Sequence, residues 1–139
     1  MEEAKETLPE ASEDLSIPKE DPYSHDLVMK LLSATKHTTL EHAPCRTSEE
    51  SAKARGVSLS SGAKAMVLRD KASLAFFLAV MSASKKLSWK LLRAASGMKK
   101  LDLAKPEEVL ELTKCIPGAV PPFGSVWGIQ TFLDESLVE

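Results

Sequence analysis

The chain has 139 residues, of which 43% are hydrophobic and 27% charged, and its net charge is −2. This length suits one domain with one core, and no apolar run approaches the ~20 residues of a membrane span. The start lacks a basic-then-apolar leader, and Cys45 and Cys115 fit neither a disulfide framework nor a zinc-ligand spacing. We therefore expect a cytoplasmic protein with reduced thiols and with no membrane association, metal or cofactor.

The charge is distributed unevenly along the chain. Residues 1–22 carry eight acidic side chains against two lysines, a net −6, whereas the remainder carries +4. This first segment also holds three prolines and few apolar side chains, so it cannot bury enough surface to offset its ordering entropy. We predict an acidic, disordered leader or linker over residues 1–22 and a single domain over residues 23–139. A basic body is compatible with a polyanionic partner.

The first elements of the domain are predicted from helical and alternating patterns. Ser24 is a candidate N-cap, and apolar residues at helical spacing after it predict an amphipathic helix to about Lys36. The alternating, threonine-rich stretch 38–42 predicts a short strand that delivers His42 to its end.

Thr47 begins a capping-box sequence with a glutamate three residues later. This signature predicts a short helix over residues 48–55 with Thr47 as its N-cap. Gly56 is the expected stop, since glycine tolerates the left-handed conformation that ends many helices.

Two β-like runs, 63–69 and 74–81, flank a short polar segment and predict a hairpin. The second run is apolar on both faces, which predicts a central strand in a sheet covered on both sides. A helix over residues 88–96 should end at Gly97 and turn three side chains inward, namely Trp89, Leu92 and Ala95.

The last elements are a short strand over 101–104, a helix opened by Pro106 and a strand over 129–133. Helices and strands thus interleave irregularly with at least one hairpin. The sequence predicts an α+β (mixed α/β) fold in a single domain.

Two stretches stand out as candidates for chemistry. Lys64 lies in the otherwise apolar run 62–68, and residues 118–124 concentrate glycine and proline. An ammonium fixed beside a pocket can bind phosphate or stabilise an oxyanion, although a lysine on a strand more often points to solvent. Glycine permits close backbone approach to a ligand and proline pre-organises a loop, although the same residues also make rigid connections.

The sequence Gly118-x-x-x-Pro122, the lysine in Gly-Ala-Lys-Ala-Met-Val-Leu and the segment Glu41–Thr47 occur in the order typical of one family. This set resembles the YbaK/ProX superfamily of aminoacyl-tRNA deacylases, which includes the editing domain inserted in bacterial prolyl-tRNA synthetases. The resemblance runs from about Tyr23 to the C-terminus. It implies a mixed central sheet flanked by helices and hydrolysis of the ester of mischarged tRNA.

The resemblance also implies roles for individual residues. Lys64 matches the key functional lysine, and the GxxxP loop would cradle the terminal adenosine and its aminoacyl ester through Gly118, Ala119, Val120, Pro121 and Pro122. His42 and Thr47 are expected to line the pocket. On the residues alone, His42 is either structural or a general base, and Thr47 is first an N-cap.

Asp134 and Cys115 also carry side chains capable of chemistry. Asp134 matches a recurrent family aspartate, although turn formation would explain it equally. Cys115 has nothing near it in sequence to activate a thiolate, so we do not expect it to act as a nucleophile.

The densest basic group is a set of candidates for contacts with the tRNA backbone: Lys86, Lys90, Arg93, Lys99 and Lys100. Phosphate neutralisation supplies affinity that does not depend on sequence. The alternative interpretation is a solvated helix face.

The substrate expected from the resemblance is tRNA-Pro carrying alanine, serine, threonine or cysteine, acted on in trans. Alternatives are a non-catalytic tRNA- or synthetase-binding module, associated with prolyl-tRNA synthetase or a multi-synthetase complex, and a hydrolase of small esters. Family members usually continue beyond the final aspartate, so we expect the C-terminal strand or strands to be lacking. An uncovered sheet edge would favour a homodimer.

Overall fold

The computed structural model describes residues 23–45 and 47–138, so the predicted leader lies outside the described residues. The described part contains four α-helices and one four-stranded sheet, which confirms the predicted α+β class. The helices are α1 (Tyr23–Leu32), α2 (Ser48–Arg55), α3 (Trp89–Ser96) and α4 (Pro106–Thr113), and the strands are β1 (Ala63–Asp70), β2 (Phe76–Ser82), β3 (Leu101–Leu103) and β4 (Gln130–Leu133). None of these helices has the length and apolar character needed to span a membrane.

The strands lie in the order β3-β1-β2-β4. β1 pairs antiparallel with β2 and with β3, whereas β2 pairs in parallel with β4. The predicted hairpin and the central position of its second strand are therefore confirmed. β3 is short and pairs only with residues 68–70, so the first half of β1 has no strand beside it on that side.

Helices and loops cover the sheet on both faces. The first core joins strand residues to α4 and to the loop after it, and consists of Val67, Leu78, Val80, Val109, Cys115 and Val120. The second core lies under α3 and consists of Leu68, Ala79, Met81, Leu92 and Leu101. Alternate residues of β1 and β2 supply the two cores, as the pleat of a strand requires.

The helix ends follow the predicted caps closely. The Thr47 hydroxyl accepts a backbone N–H of α2 at 3.1 Å, and Gly56 ends that helix with φ of 68°. Ser88 caps α3 through an accepted bond of 3.3 Å, and Gly97 ends it with φ of 72°. Pro106 opens α4. These local signals need no tertiary support, because the cap side chains satisfy the orphan groups of their own helix.

Several expectations were wrong. α1 ends at Leu32 rather than near Lys36, because the chain turns where the apolar stripe stops. Ser24 lies inside the first turn of α1, and its hydroxyl donates to the carbonyl of Thr113 instead of capping the helix. The stretch 38–42 forms no strand, since no other strand lies beside it to pair with. Alternation alone cannot form a strand without such a neighbour.

The prediction that Ala95 of α3 faces inward was also wrong. Leu92 is buried and Trp89 is half-buried, as expected, but Ala95 is exposed. Ala95 has a small side chain and is not among the residues of the second core.

Candidate active site

An open cleft of about 650 Å³ lies beside the first half of β1. One wall is the start of β1, and the opposite wall is formed by α2 and the chain before it. The end of β3 and the loop after α4 close the remaining sides. The cleft therefore occupies the space where β1 has no partner strand.

The missing partner leaves backbone groups of β1 directed into the cleft. The Val67 carbonyl accepts from the N–H of Ala104 at 3.0 Å, on the side away from β2. Backbone groups two residues apart in a strand point the same way. The N–H and C=O of Ala65 therefore point into the cleft, where no described backbone group bonds them. They offer a donor and an acceptor to a ligand.

Lys64 lies at the beginning of β1, opposite Met81 of β2, and lines the cleft. Alternation places its side chain on the face of Met66, whereas Ala65 and Val67 lie on the face covered by α4. All of these residues contact the cleft because it runs around the free edge of the strand. Lys64 forms no salt bridge with any residue that the structure describes. Its ammonium is available for an anionic ligand.

His42 and Cys45 lie together on the wall of the cleft. The Cys45 Sγ is 3.5 Å from Nδ1 of His42, and that nitrogen is 2.8 Å from the carbonyl oxygen of Ala43. A neutral imidazole bonded to a carbonyl in this way carries its proton on Nδ1. Sequence reasoning did not connect the two side chains, although their spacing of three residues within one tight segment was a signal for it.

The wall formed by α2 is polar. The Thr47 hydroxyl caps the helix and also lines the cleft, so its structural position and its predicted place at the pocket are compatible. Ser48, Ser51 and Arg55 lie on the same side. Sequence reasoning missed Arg55, which the helical spacing of four from Ser51 places on the cleft face.

The loop after α4 is anchored by a buried polar network. The Thr113 hydroxyl donates to the Val109 carbonyl at 2.8 Å and accepts from the Cys115 N–H at 3.1 Å. Ser24 bonds the Thr113 carbonyl, which ties α1 to the same point. Cys115 and Ile116 are buried directly afterwards. The loop therefore starts from a fixed position.

From this anchor the chain turns towards the cleft at Gly118. Its φ is 89°, and the Ala119 N–H bonds the Ile116 carbonyl at 3.0 Å. A Cβ added at Gly118 would meet nothing within 4 Å, so the backbone conformation rather than space requires glycine. Gly118 and Val120 line the cleft.

The other residues of the loop support it from behind. Ala119 packs against the first core and Pro121 is buried, and neither these two nor Pro122 is among the described residues that line the cleft. Their predicted roles in substrate binding stay predictions. The structure thus brings Lys64, His42, Thr47, Gly118 and Val120 to one cavity.

Residues 42–139 match the family described as the aminoacyl-tRNA editing domain. The chain belongs to this family. A relative from Escherichia coli (strain K12), the multifunctional Ser/Thr-tRNA deacylase ProXp-y, is 33% identical over 120 residues, which cover 84% of this chain and 72% of the relative. The predicted family is confirmed.

Two solved structures resemble this editing domain. One is a protein proposed to be a trans-editing enzyme for prolyl tRNA synthetase, with a TM-score of 0.70 and 29% identity over 85% of this chain and 75% of the other. The second is the hypothetical protein APE2540, with a TM-score of 0.64 and 27% identity over 77% of this chain and 71% of the other.

The basic candidates of the editing domain divide into two groups. Arg93, Lys99 and Lys100 line a shallow groove at the start of β3, whereas Lys86 and Lys90 are exposed outside it. The predicted contacts with tRNA stay predictions.

Asp134 does not line the cleft of the editing domain. Its carboxylate accepts from the N–H and the hydroxyl of Ser136 and lies 3.5 Å from Nζ of Lys85. The bonds from Ser136, with a smaller contribution from Lys85, hold the pKa of this carboxyl below its usual range. Turn formation accounts for these contacts. Within residues 23–45 and 47–138, no three His, Cys, Asp or Glu side chains are grouped to hold a metal ion.

Proposed function

We propose that this editing domain is an aminoacyl-tRNA deacylase that acts in trans on tRNA-Pro carrying a small non-cognate amino acid. The observation that carries the proposal is the cleft in which Lys64 of β1 and the Gly118 turn meet. The E. coli relative is named a Ser/Thr-tRNA deacylase, and a structural neighbour is a proposed trans-editing enzyme for prolyl tRNA synthetase. Both names support this activity.

The terminal adenosine and its ester would lie between the free edge of β1 and the Gly118 turn. The glycine allows the ligand to approach the backbone closely. The Ala65 N–H and C=O can bond the polar groups of the aminoacyl moiety. These groups belong to a sheet and to an anchored loop, so little ordering entropy is lost on binding.

Hydrolysis requires a nucleophile and stabilisation of the negative charge that develops on the carbonyl oxygen. In our proposal water attacks the ester carbon while the Lys64 ammonium stabilises the oxyanion. The bond to the ribose oxygen then breaks, and that oxygen takes the proton that the nucleophile has lost. One such donor typically contributes a factor of about 10²–10³ to the rate.

The walls of the cleft suggest which side chains are accepted. Thr47, Ser48 and Ser51 contribute hydroxyl-bearing side chains to the lining of the cleft, whereas Val109 and Val120 contribute apolar ones. A site that bonds a substrate hydroxyl rejects analogues that lack it far better than an apolar pocket distinguishes a methylene. Serine and threonine esters are therefore our first candidates, before alanine and cysteine.

The proposed substrate also suggests a cellular location and a protein partner for the domain. We propose that it works in the cytoplasm and docks on prolyl-tRNA synthetase or a multi-synthetase assembly through residues 1–22. A pull-down with and without these residues tests the docking. Sedimentation at several concentrations tests the proposed homodimer.

The activity is tested by incubating the protein with tRNA-Pro charged separately with alanine, serine, threonine, cysteine and proline. We expect the ester of at least one non-cognate species, with serine or threonine first, to be lost while prolyl-tRNA persists. If a folded sample hydrolyses none of them, the deacylase proposal is wrong and the binding-module alternative replaces it.

A further inference from the structure

A second concave surface lies next to the cleft, and we call it the basic groove. Its polar and aromatic lining consists of Lys71, Trp89, Arg93, Lys99, Lys100 and Asp102. It is formed by α3, by the turn between β1 and β2 and by the start of β3. Arg93, Lys99 and Lys100 are among the cations predicted from sequence to contact the tRNA backbone, whereas Lys71 and Trp89 join them only in the folded protein.

The basic groove and the cleft are continuous along one edge of the sheet. Leu101 and Asp102 line the groove, and the next two residues, Leu103 and Ala104, line the cleft. β3 is the edge strand and contributes residues to both surfaces. From Lys64 to Asp70, the last residue of β1, the strand spans about 20 Å at ~3.3 Å per residue. A ligand that extends from the cleft along β3 would therefore enter the groove.

The groove has more positive than negative side chains, with four cations in its lining against Asp102. Lys71 pairs with Asp102 at 3.1 Å, which occupies the acidic side chain of the lining. Arg93, Lys99 and Lys100 form no salt bridge with a described residue. Elsewhere, Arg69 and Lys85 are paired with carboxylates. Arg93 and Lys99 therefore remain for an anionic ligand, and Lys100 adds its charge although it also acts on the Asp70 carboxylate.

These cations are held by the fold rather than scattered over a flexible surface. The Lys71 N–H bonds the Lys100 carbonyl at 3.0 Å, which fixes the spacing between the turn and β3. Trp89 packs against the second core, and Arg93 follows it by one helical turn on the same face. Cations beside a fixed aromatic ring are the combination that binds nucleic-acid strands through phosphates and stacking.

We propose that the basic groove binds the acceptor strand of the RNA whose 3′ end occupies the cleft. Arg93, Lys99 and Lys100 contact its phosphates, and Trp89 contacts a base or ribose. The inference rests on the proposed function for the position of the 3′ end. It assigns the strand to the β3 edge and leaves Lys86 and Lys90 outside the contact.

The test measures binding of an uncharged RNA hairpin that consists of an acceptor stem and a single-stranded 3′ end. Fluorescence anisotropy is recorded over a range of KCl concentrations. The groove variant is R93A/K99A/K100A, and the control is K30A/K36A/K53A, which removes the same charge from exposed lysines outside both surfaces. Circular dichroism confirms that both variants are folded.

We expect the groove variant to weaken binding at least about tenfold near 0.1 M salt. The slope of log K against log salt should fall by about one for each lost phosphate contact. The control should stay within about twofold of the wild type. Equal losses in the two variants, or no loss in the groove variant, would overturn the proposal. Displacement of the hairpin by a polyglutamate peptide at equal charge concentration would also overturn the proposal, since the groove would then be a site for acidic peptides.

A second readout separates this inference from the proposed activity. The groove variant should raise KM for aminoacyl-tRNA more than KM for 2′(3′)-O-aminoacyl-adenosine, which is too short to reach the groove. Equal increases for both substrates would contradict the groove assignment. If the wild type hydrolyses neither substrate, the proposed function fails, and hairpin binding still decides the groove.

Discussion

Arg69 of β1 and Glu108 of α4 form a salt bridge of 2.7 Å. Glu108 also accepts the N–H of Lys105 at 2.9 Å, so one carboxylate caps α4 and ties it to the sheet. The two side chains are 32% and 20% exposed. β1 carries Lys64 and α4 leads into the Gly118 turn, so this pair connects the two elements that bring these residues to the cleft.

Replacing Glu108 by alanine should lower the free energy of unfolding by about 1–2 kcal/mol, because the cap and the partly exposed ion pair are lost together. Urea denaturation at pH 7 measures the loss. Glu111→Ala is the control, since Glu111 is an exposed acidic residue of the same helix. It should cost less than about 0.5 kcal/mol. Equal losses of unfolding free energy in the two variants would show that the cap and ion pair of Glu108 do not stabilise the fold.

Gly118 and Gly97 offer a matched pair of glycines at positive φ, 89° and 72°, and neither has an atom within 4 Å of an added Cβ. Alanine at either position should cost about 1 kcal/mol of stability through backbone strain. Only Gly118→Ala should also lower deacylation, by tenfold or more as an order-of-magnitude expectation for a displaced positioning group. Equal activity of the two variants would argue against contact between substrate and the Gly118 turn.

Cys45 is partly exposed at the cleft, whereas Cys115 is buried in the first core. Iodoacetamide should therefore alkylate Cys45 in the native protein and leave Cys115 unmodified, which peptide mass spectrometry resolves. The added group would occupy the cleft, so deacylation should fall with the extent of modification. Cys45→Ser should resist this inactivation. Full activity after complete alkylation of Cys45 would place the substrate elsewhere.

The elements that sequence predicted correctly are those with local causes. Thr47 marks the start of α2 and Gly56 its end, and both form hydrogen bonds with groups only a few residues away. Pro106 opens α4 because its ring suits the first turn and the missing N–H would be unpaired there. Such signals do not depend on the rest of the chain.

The errors fall where distant contacts decide. The Ser24 hydroxyl donates to the carbonyl of Thr113 at the far end of α4, and no local sequence pattern indicates this contact. The stretch 38–42 has the composition of a strand but no neighbour to pair with. The same division holds for the site. Family motifs predicted that Lys64 and Gly118 lie together, whereas the parts played by the Ala65 backbone and by Arg55 follow only from the position of the sheet edge.

Acid should destabilise the protein through carboxylates bound in turns. The Ser73 hydroxyl, together with backbone N–H groups of the β1–β2 turn, lowers the pKa of Asp70, although burial acts in the opposite direction. Since the unfolded value is about 3.9, the unfolded chain binds more protons in acid. The stabilisation is thus present above about pH 4–5 and is lost as the pH falls through the folded pKa.

Ser73→Ala isolates the contribution of Asp70 to the loss of stability in acid, because it removes the largest cause of the lowered pKa of Asp70. Stability should fall at pH 7, and the further loss between about pH 5 and pH 2 should be smaller than in the wild type. Urea midpoints across this range provide the measurement. An unchanged acid profile would mean that Asp70 is not held by Ser73 in solution.

The central claim is that Lys64 stabilises the transition state of ester hydrolysis in the cleft. The most direct test is the single-turnover rate of Lys64→Ala on the mischarged tRNA-Pro that the wild type hydrolyses fastest, beside the exposed-lysine control Lys53→Ala. The account predicts a loss of about 100-fold or more for Lys64→Ala with an unchanged fold, and less than about twofold for the control. A Lys64→Ala protein that hydrolyses the ester at the wild-type rate would contradict it.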